Sequence, residues 1–175
     1  MTFTPGWFSP LPRTDHIPRE YPDGVPASFF GDARAVDFVA SFLETAEWSA
    51  ATDNHGDPYR WHPSALDKAW RDAWDFLNAP NVADAVEAGP TRLPADCQQY
   101  RFPAYALAGH DFALTRNGHG AGFWDGDWPG EEDTRNPGPL YRASEAAGEI
   151  NCLPDAGDDG EPLPDDDGYI TLYLE

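Results

Sequence analysis

The sequence predicts an α+β protein in which two to four helices pack on a small antiparallel sheet. Three observations carry this expectation. Apolar residues recur at helical spacing through residues 34–89, a period of two takes over from Asp111, and turn formers separate the two regions. A chain of 175 residues that is 41% hydrophobic and 14% aromatic can bury a core of its own, so 1–175 is expected to form a single domain.

Residues 1–30 interleave Pro5, Pro10, Pro12, Pro18, Pro22 and Pro26 with Phe3, Trp7, Phe8, Tyr21, Phe29 and Phe30. This forbids a long helix and predicts an irregular Pro-rich arm lying against the domain. Val36, Val39, Leu43 and Ala46, flanked by Phe38 and Phe42, predict a helix over 34–50 with Asp32 placed to cap it. Asp53-Asn54-His55-Gly56-Asp57-Pro58 predicts a loop over 52–63. Ser64 as N-cap, Asp67 three residues on, and Leu66, Trp70, Ala73 and Leu77 predict a second helix to about Asn78, stopped by Pro80. Asn81 is placed to cap a third, short helix through Val82 and Val86 that ends at Gly89-Pro90.

After a linker containing Pro94 and Pro103, the reading changes to strands. Phe112 and Leu114 alternate with Ala113 and Thr115, Asn117-Gly118 is a strong two-residue turn signal, and His119 to Asp125 would return as the second arm of a hairpin. One face of that hairpin would carry only Ala113, Thr115, Gly120 and Gly122, a strip of small residues that invites close approach by a helix or a ligand. A short helix over Leu140–Ala147, short strands at 149–153 and 169–174, and an acidic loop over 155–168 complete the expected sheet region, 110–175.

Charge is the strongest compositional signal. The formal net charge is −20, and residues 110–175 hold sixteen carboxylates against three cations, so this third alone accounts for −13. Such a field repels phosphate backbones and anionic lipid and attracts cationic surfaces. Direct nucleic-acid binding by phosphate neutralisation is therefore excluded, and a basic protein surface is the expected partner. Acidity also serves solubility or salt adaptation, which is a third reading of the same numbers. No stretch is long and apolar enough to span a membrane, and Met1 to Arg13 lacks the features of a signal peptide, so a cytoplasmic protein is expected. Cys97 and Cys152 fit neither a disulfide framework nor a zinc pattern and are expected to be free, buried thiols.

The densest polar cluster is His110, Asp111, His119 and Asp125, with Arg116 among them. Imidazoles and carboxylates of this kind bind divalent metals or exchange protons, so the cluster is a candidate metal or hydrolytic centre. The hairpin register opposes it, placing His119 near the turn and Asp111 roughly 16 Å away at the far end. Gly118-His119-Gly120-Ala121-Gly122 lacks the helix or the Lys-Ser/Thr that nucleotide loops need. Asp155, Asp159, Gly160 and Asp166 match positions of a calcium loop, but Gly157 and Pro162 break the template. No nucleophile elbow is present, neither cysteine has a neighbouring histidine, and no cofactor is expected. His55 and His62 are expected to serve surface or packing roles. Most tryptophans are expected in the core, with Trp128, ahead of Glu131-Glu132-Asp133, as an aromatic anchor for a basic partner.

The segment from Ala108 to Asp125, Ala-Gly-His-Asp-Phe-Ala-Leu-Thr-Arg-Asn-Gly-His-Gly-Ala-Gly-Phe-Trp-Asp, resembles a signature of small uncharacterised proteins encoded by bacteriophages and related mobile elements. The resemblance extends loosely to Glu149, to Asp166-Asp167-Gly168-Tyr169-Ile170, and to Val36–Trp48 with Asp53-Asn54. It leaves out the Pro-rich arm and residues 131–139. It implies a source and no mechanism.

The expected function is an acidic phage interaction protein that mimics DNA and inhibits a host nucleic-acid-binding defence complex, a CRISPR effector or a restriction enzyme. Its expected contact residues are Asp127, Trp128, Glu131, Glu132, Asp133, Asp155, Asp158, Asp159, Glu161, Asp165, Asp166 and Asp167. The alternatives are a metal-binding or hydrolytic accessory protein centred on His110, Asp111, His119 and Asp125, and a structural or regulatory phage protein whose acidity serves solubility.

Overall fold

A computed structural model of the chain describes residues 20–50, 59–133, 135–157 and 161–175, and they form an α+β fold. Most of the arm, the turn-former run 51–58 and the centre of the acidic loop, with Asp158, Asp159 and Gly160, lie outside the described residues. In chain order the elements are α1 (Ala27–Phe30), α2 (Ala33–Ala50), β1 (Tyr59–Trp61), α3 (Pro63–Leu77), α4 (Val82–Ala88), a 3₁₀ turn (Ala95–Gln99), α5 (Pro103–Arg116), α6 (Pro139–Ala147), β2 (Cys152–Pro154) and β3 (Ile170–Leu174).

The expected helices stand with small corrections to their caps. Asp32 does cap α2, its Oδ1 accepting the Arg34 N–H at 2.9 Å. His62, not Ser64, is the N-cap of α3, and its ring nitrogen accepts from the Ser64 N–H with Pro63 in the first turn. Asn81 precedes α4 with φ of 66° and makes no side-chain cap bond.

The hairpin expected over 111–125 is overturned: this sequence is the end of α5 and the loop after it. Asn117-Gly118 closes a helix instead of turning a strand. Gly118 takes φ of +60°, its N–H bonds to the Thr115 carbonyl, and the His119 N–H bonds to the Leu114 carbonyl. This is the Schellman pattern, which uses the same left-handed glycine that a hairpin turn would use. α5 shows no clear helical period because it is buried on nearly every side, including Tyr105 to Gly109 and Asp111 to Arg116.

The sheet is mixed, a correction to the antiparallel sheet expected. Its order is β1-β3-β2, with β1 parallel and β2 antiparallel to β3. The described residues hold six helices, more than the two to four expected, and part of 110–175 is helical.

Helices α2 and α5 meet in the middle of the core. Their approach is so close at Gly109 that a Cβ there would overlap the Phe38 carbonyl oxygen. Around this contact Phe76 lies 4.5 Å from Phe112 and 5.4 Å from Phe38, ring centre to ring centre. Phe123, from the loop after α5, stacks on Phe76 at 5.8 Å. On the sheet, Ile170, Leu172 and Leu174 point into this core while Thr171 and Tyr173 point out.

Candidate functional site

The residues expected to act together separate into an interior group and a surface group. Within α5, His110 and Asp111 are consecutive, and consecutive helical residues face different directions. His110 points to α2, with its Nδ1 2.8 Å from Thr45 Oγ1. Asp111 is buried and accepts the indole N–H of Trp128 at 2.6 Å. His119 sits beyond the helix end, and Asp125 is exposed on the loop. Among the described residues no group of three or more His, Cys, Asp or Glu could hold a metal ion, so the candidate metal centre is not assembled. The calcium-loop match depends in part on residues outside those described.

Burial governs the protonation of these groups. Loss of water pushes the Asp111 carboxyl up to about 8, opposed by the Trp128 bond and aided by the charges of Asp125 and Asp127. His110 is moved down by burial, with Asp125 opposing. Burial likewise pushes the Cys97 and Cys152 thiols up to about 12, and both are free and buried as expected. A thiol so hard to ionise is a poor nucleophile.

Two expected contact residues are interior and are corrected here. Trp128 is fully buried, edge-on to Phe123 at 5.6 Å, because its indole N–H has a buried partner in Asp111. Glu131 is 1% exposed and accepts the N–H groups of Leu140 and Tyr141 at 2.9 and 3.0 Å, holding the first turn of α6. Its carboxylate satisfies donors that the helix start leaves unpaired. The segment between α5 and α6 is thus pinned from inside at Phe123, Trp128 and Glu131.

Two further interior polar residues join distant segments: Arg116, read from sequence only as part of the polar cluster, and Asp37, which the sequence does not mark. Arg116 has a fully buried side chain that reaches Asp72 of α3 at 2.7 Å and the carbonyls of Gly148 and Ala147 at the end of α6 at 2.6 and 3.1 Å. Asp37 of α2 accepts the Phe102 N–H at the start of α5. Nothing in their spacing along the chain signals these roles, since each bond joins distant segments.

The other expected contact residues that are described lie at or near the surface. Glu132, Asp133, Asp155, Glu161, Asp165, Asp166 and Asp167 are exposed, and Asp127 is half-buried. Residues 143–175 contain ten carboxylates and no Lys or Arg. Arg60 reaches over from β1 to lie 3.0 Å from Asp165 and 3.4 Å from Asp167. The Tyr169 N–H, with those of Asp167 and Gly168 and the Arg60 charge, holds the Asp165 carboxyl below its ordinary range. The exposed position of these carboxylates suits contact with fixed positive charge.

Among the described residues no helix is long and apolar enough to cross a membrane. No protein-family model, curated protein or solved structure matches this chain.

Proposed function

We propose that the protein is an acidic interaction protein of bacteriophage origin that occupies the cationic, nucleic-acid-binding surface of a host defence complex, a CRISPR effector or a restriction enzyme, in the host cytoplasm. The observation that carries this reading is the run 143–175, which contains no Lys or Arg and whose described carboxylates are exposed. Duplex DNA presents one negative charge per roughly 1.7 Å of its axis, and a protein groove built for it gains most of its affinity from charge. A folded surface carrying fixed carboxylates competes for such a groove without being read as sequence. The burial of Trp128 and Glu131 moves the proposed contact away from residues 127–133 as its centre and onto Asp155, Glu161, Asp165, Asp166 and Asp167.

The test is capture from bacterial lysate at low salt on the immobilised chain, alongside a variant in which those five residues are replaced by Asn or Gln. The five are exposed, so the variant is expected to fold. The native chain should retain a nucleic-acid-binding complex that the variant loses. Equal retention by both chains would sink the proposal.

A further inference from the structure

The sheet has one face in the core and one in water, and the outer face has a defined composition. In the register of the strands Arg60 lies beside Thr171 and Leu153 beside Tyr173, while Trp61, Leu172 and Cys152 point inward. Alternation along β3 places Tyr169 with Thr171 and Tyr173. His62 follows the same alternation and stacks on Tyr173 with ring centres 4.5 Å apart. Leu153 is 43% and Tyr169 39% exposed, so an apolar and aromatic stripe faces solvent. Its borders are anionic: Asp155 pairs with Thr171 through its backbone, Asp165 and Asp167 stand before β3, and Glu175 follows it.

This face already seats one guanidinium, its own. The Arg60 group lies 4.4 Å from the centre of the Tyr169 ring while it meets Asp165 and Asp167. An aromatic ring beneath a cation with carboxylates at its edge is an arrangement that favours arginine in general. Leu153 and the two tyrosines are the apolar and aromatic part of this face, the border is negative, and the chain as a whole carries −20.

We propose that the outer face of the β1-β3-β2 sheet is the docking surface for an arginine-rich protein segment with an apolar centre, the apolar centre lying on Leu153 and Tyr173 and the arginines reaching the bordering carboxylates. The proposal rests on the reading of residues 143–175 as the contact region and adds to it where the partner sits and why charge alone is insufficient. A uniformly charged partner would use the carboxylates and leave the stripe wet. A partner with an apolar centre covers both.

Two synthetic peptides separate these cases: three arginines, two leucines and three arginines, and the same peptide with serines in place of the leucines. The leucine peptide should bind at least about tenfold more tightly by calorimetry, the gain expected from burying two apolar side chains part-way. The double substitution Leu153→Thr/Tyr173→Thr, which keeps β-forming residues on the strands, should abolish that difference while leaving the affinity for the serine peptide unchanged. Amide shifts on the unaltered chain should move at 151–153 and 169–173 when the leucine peptide is added, a readout that does not depend on the variant folding. Equal binding of the two peptides, or shifts confined elsewhere, would overturn the docking surface and leave the acidic reading standing. Binding of neither peptide at low salt would overturn both.

Discussion

A carboxyl group that loses its water keeps its proton longer than a solvated one even where one indole N–H opposes this, and Asp111 is in that position. Between its ordinary value near 3.8 and its folded value of about 8, the folded chain holds a proton that the unfolded chain has released. Raising the pH through that window therefore favours unfolding, by up to about 1.4 kcal/mol per pH unit from this group. Asp111→Asn keeps an acceptor for Trp128 and has no proton to lose. Its stability, measured by urea unfolding from pH 5 to 8, should fall less steeply with pH than that of the native chain, and an unchanged slope would show that Asp111 does not hold the proton. The sequence makes His110 and Asp111 conspicuous as neighbouring titratable groups. It does not show that a helix sends them apart, or that Trp128, seventeen residues on, supplies the donor.

At the scale of elements, legibility followed exposure. Helix α3 leaves a side in water, and Leu66, Trp70 and Ala73 mark its buried side at a period of 3.6, while α2 is buried continuously over 37–43 but meets water at Arg34, Glu44, Glu47 and Trp48 near its ends. Helix α5 is enclosed, so its pattern shows no period, and Asn117-Gly118 satisfies the chemistry of a hairpin turn and of a helix end equally. β1 is three residues long beside a run of turn formers, and its partner β3 lies more than a hundred residues away. The strip of small residues does not form, because Ala113 and Thr115 belong to α5 and Gly120 and Gly122 to the loop after it; the close approach in the core is made by Gly109, which lies outside that strip. Gly109→Ala should raise helix propensity by about 1 kcal/mol, yet the added methyl meets backbone that cannot move aside. Overpacking of this kind costs about 1–3 kcal/mol or more, so the variant should unfold at lower urea than the native chain. A higher midpoint would contradict the packing of α2 on α5.

For the whole molecule, the charge asymmetry was legible from composition because it needs no fold: sixteen carboxylates against three cations after residue 109. The fold decides which of them face a partner. It withdraws Glu131 to hold α6 and Asp111 to hold Trp128, and it leaves Asp155, Glu161 and Asp165 to Asp167 outside, bordering a sheet face with exposed Leu153 and Tyr169. The solubility reading of the same charge requires no such arrangement and predicts no partner. The most direct measurement is competition: the captured host complex is bound to the immobilised chain and challenged with duplex DNA at constant ionic strength. The account predicts displacement in proportion to added DNA, with retention that weakens as salt rises. Simultaneous binding of DNA and the protein to the same complex would contradict it.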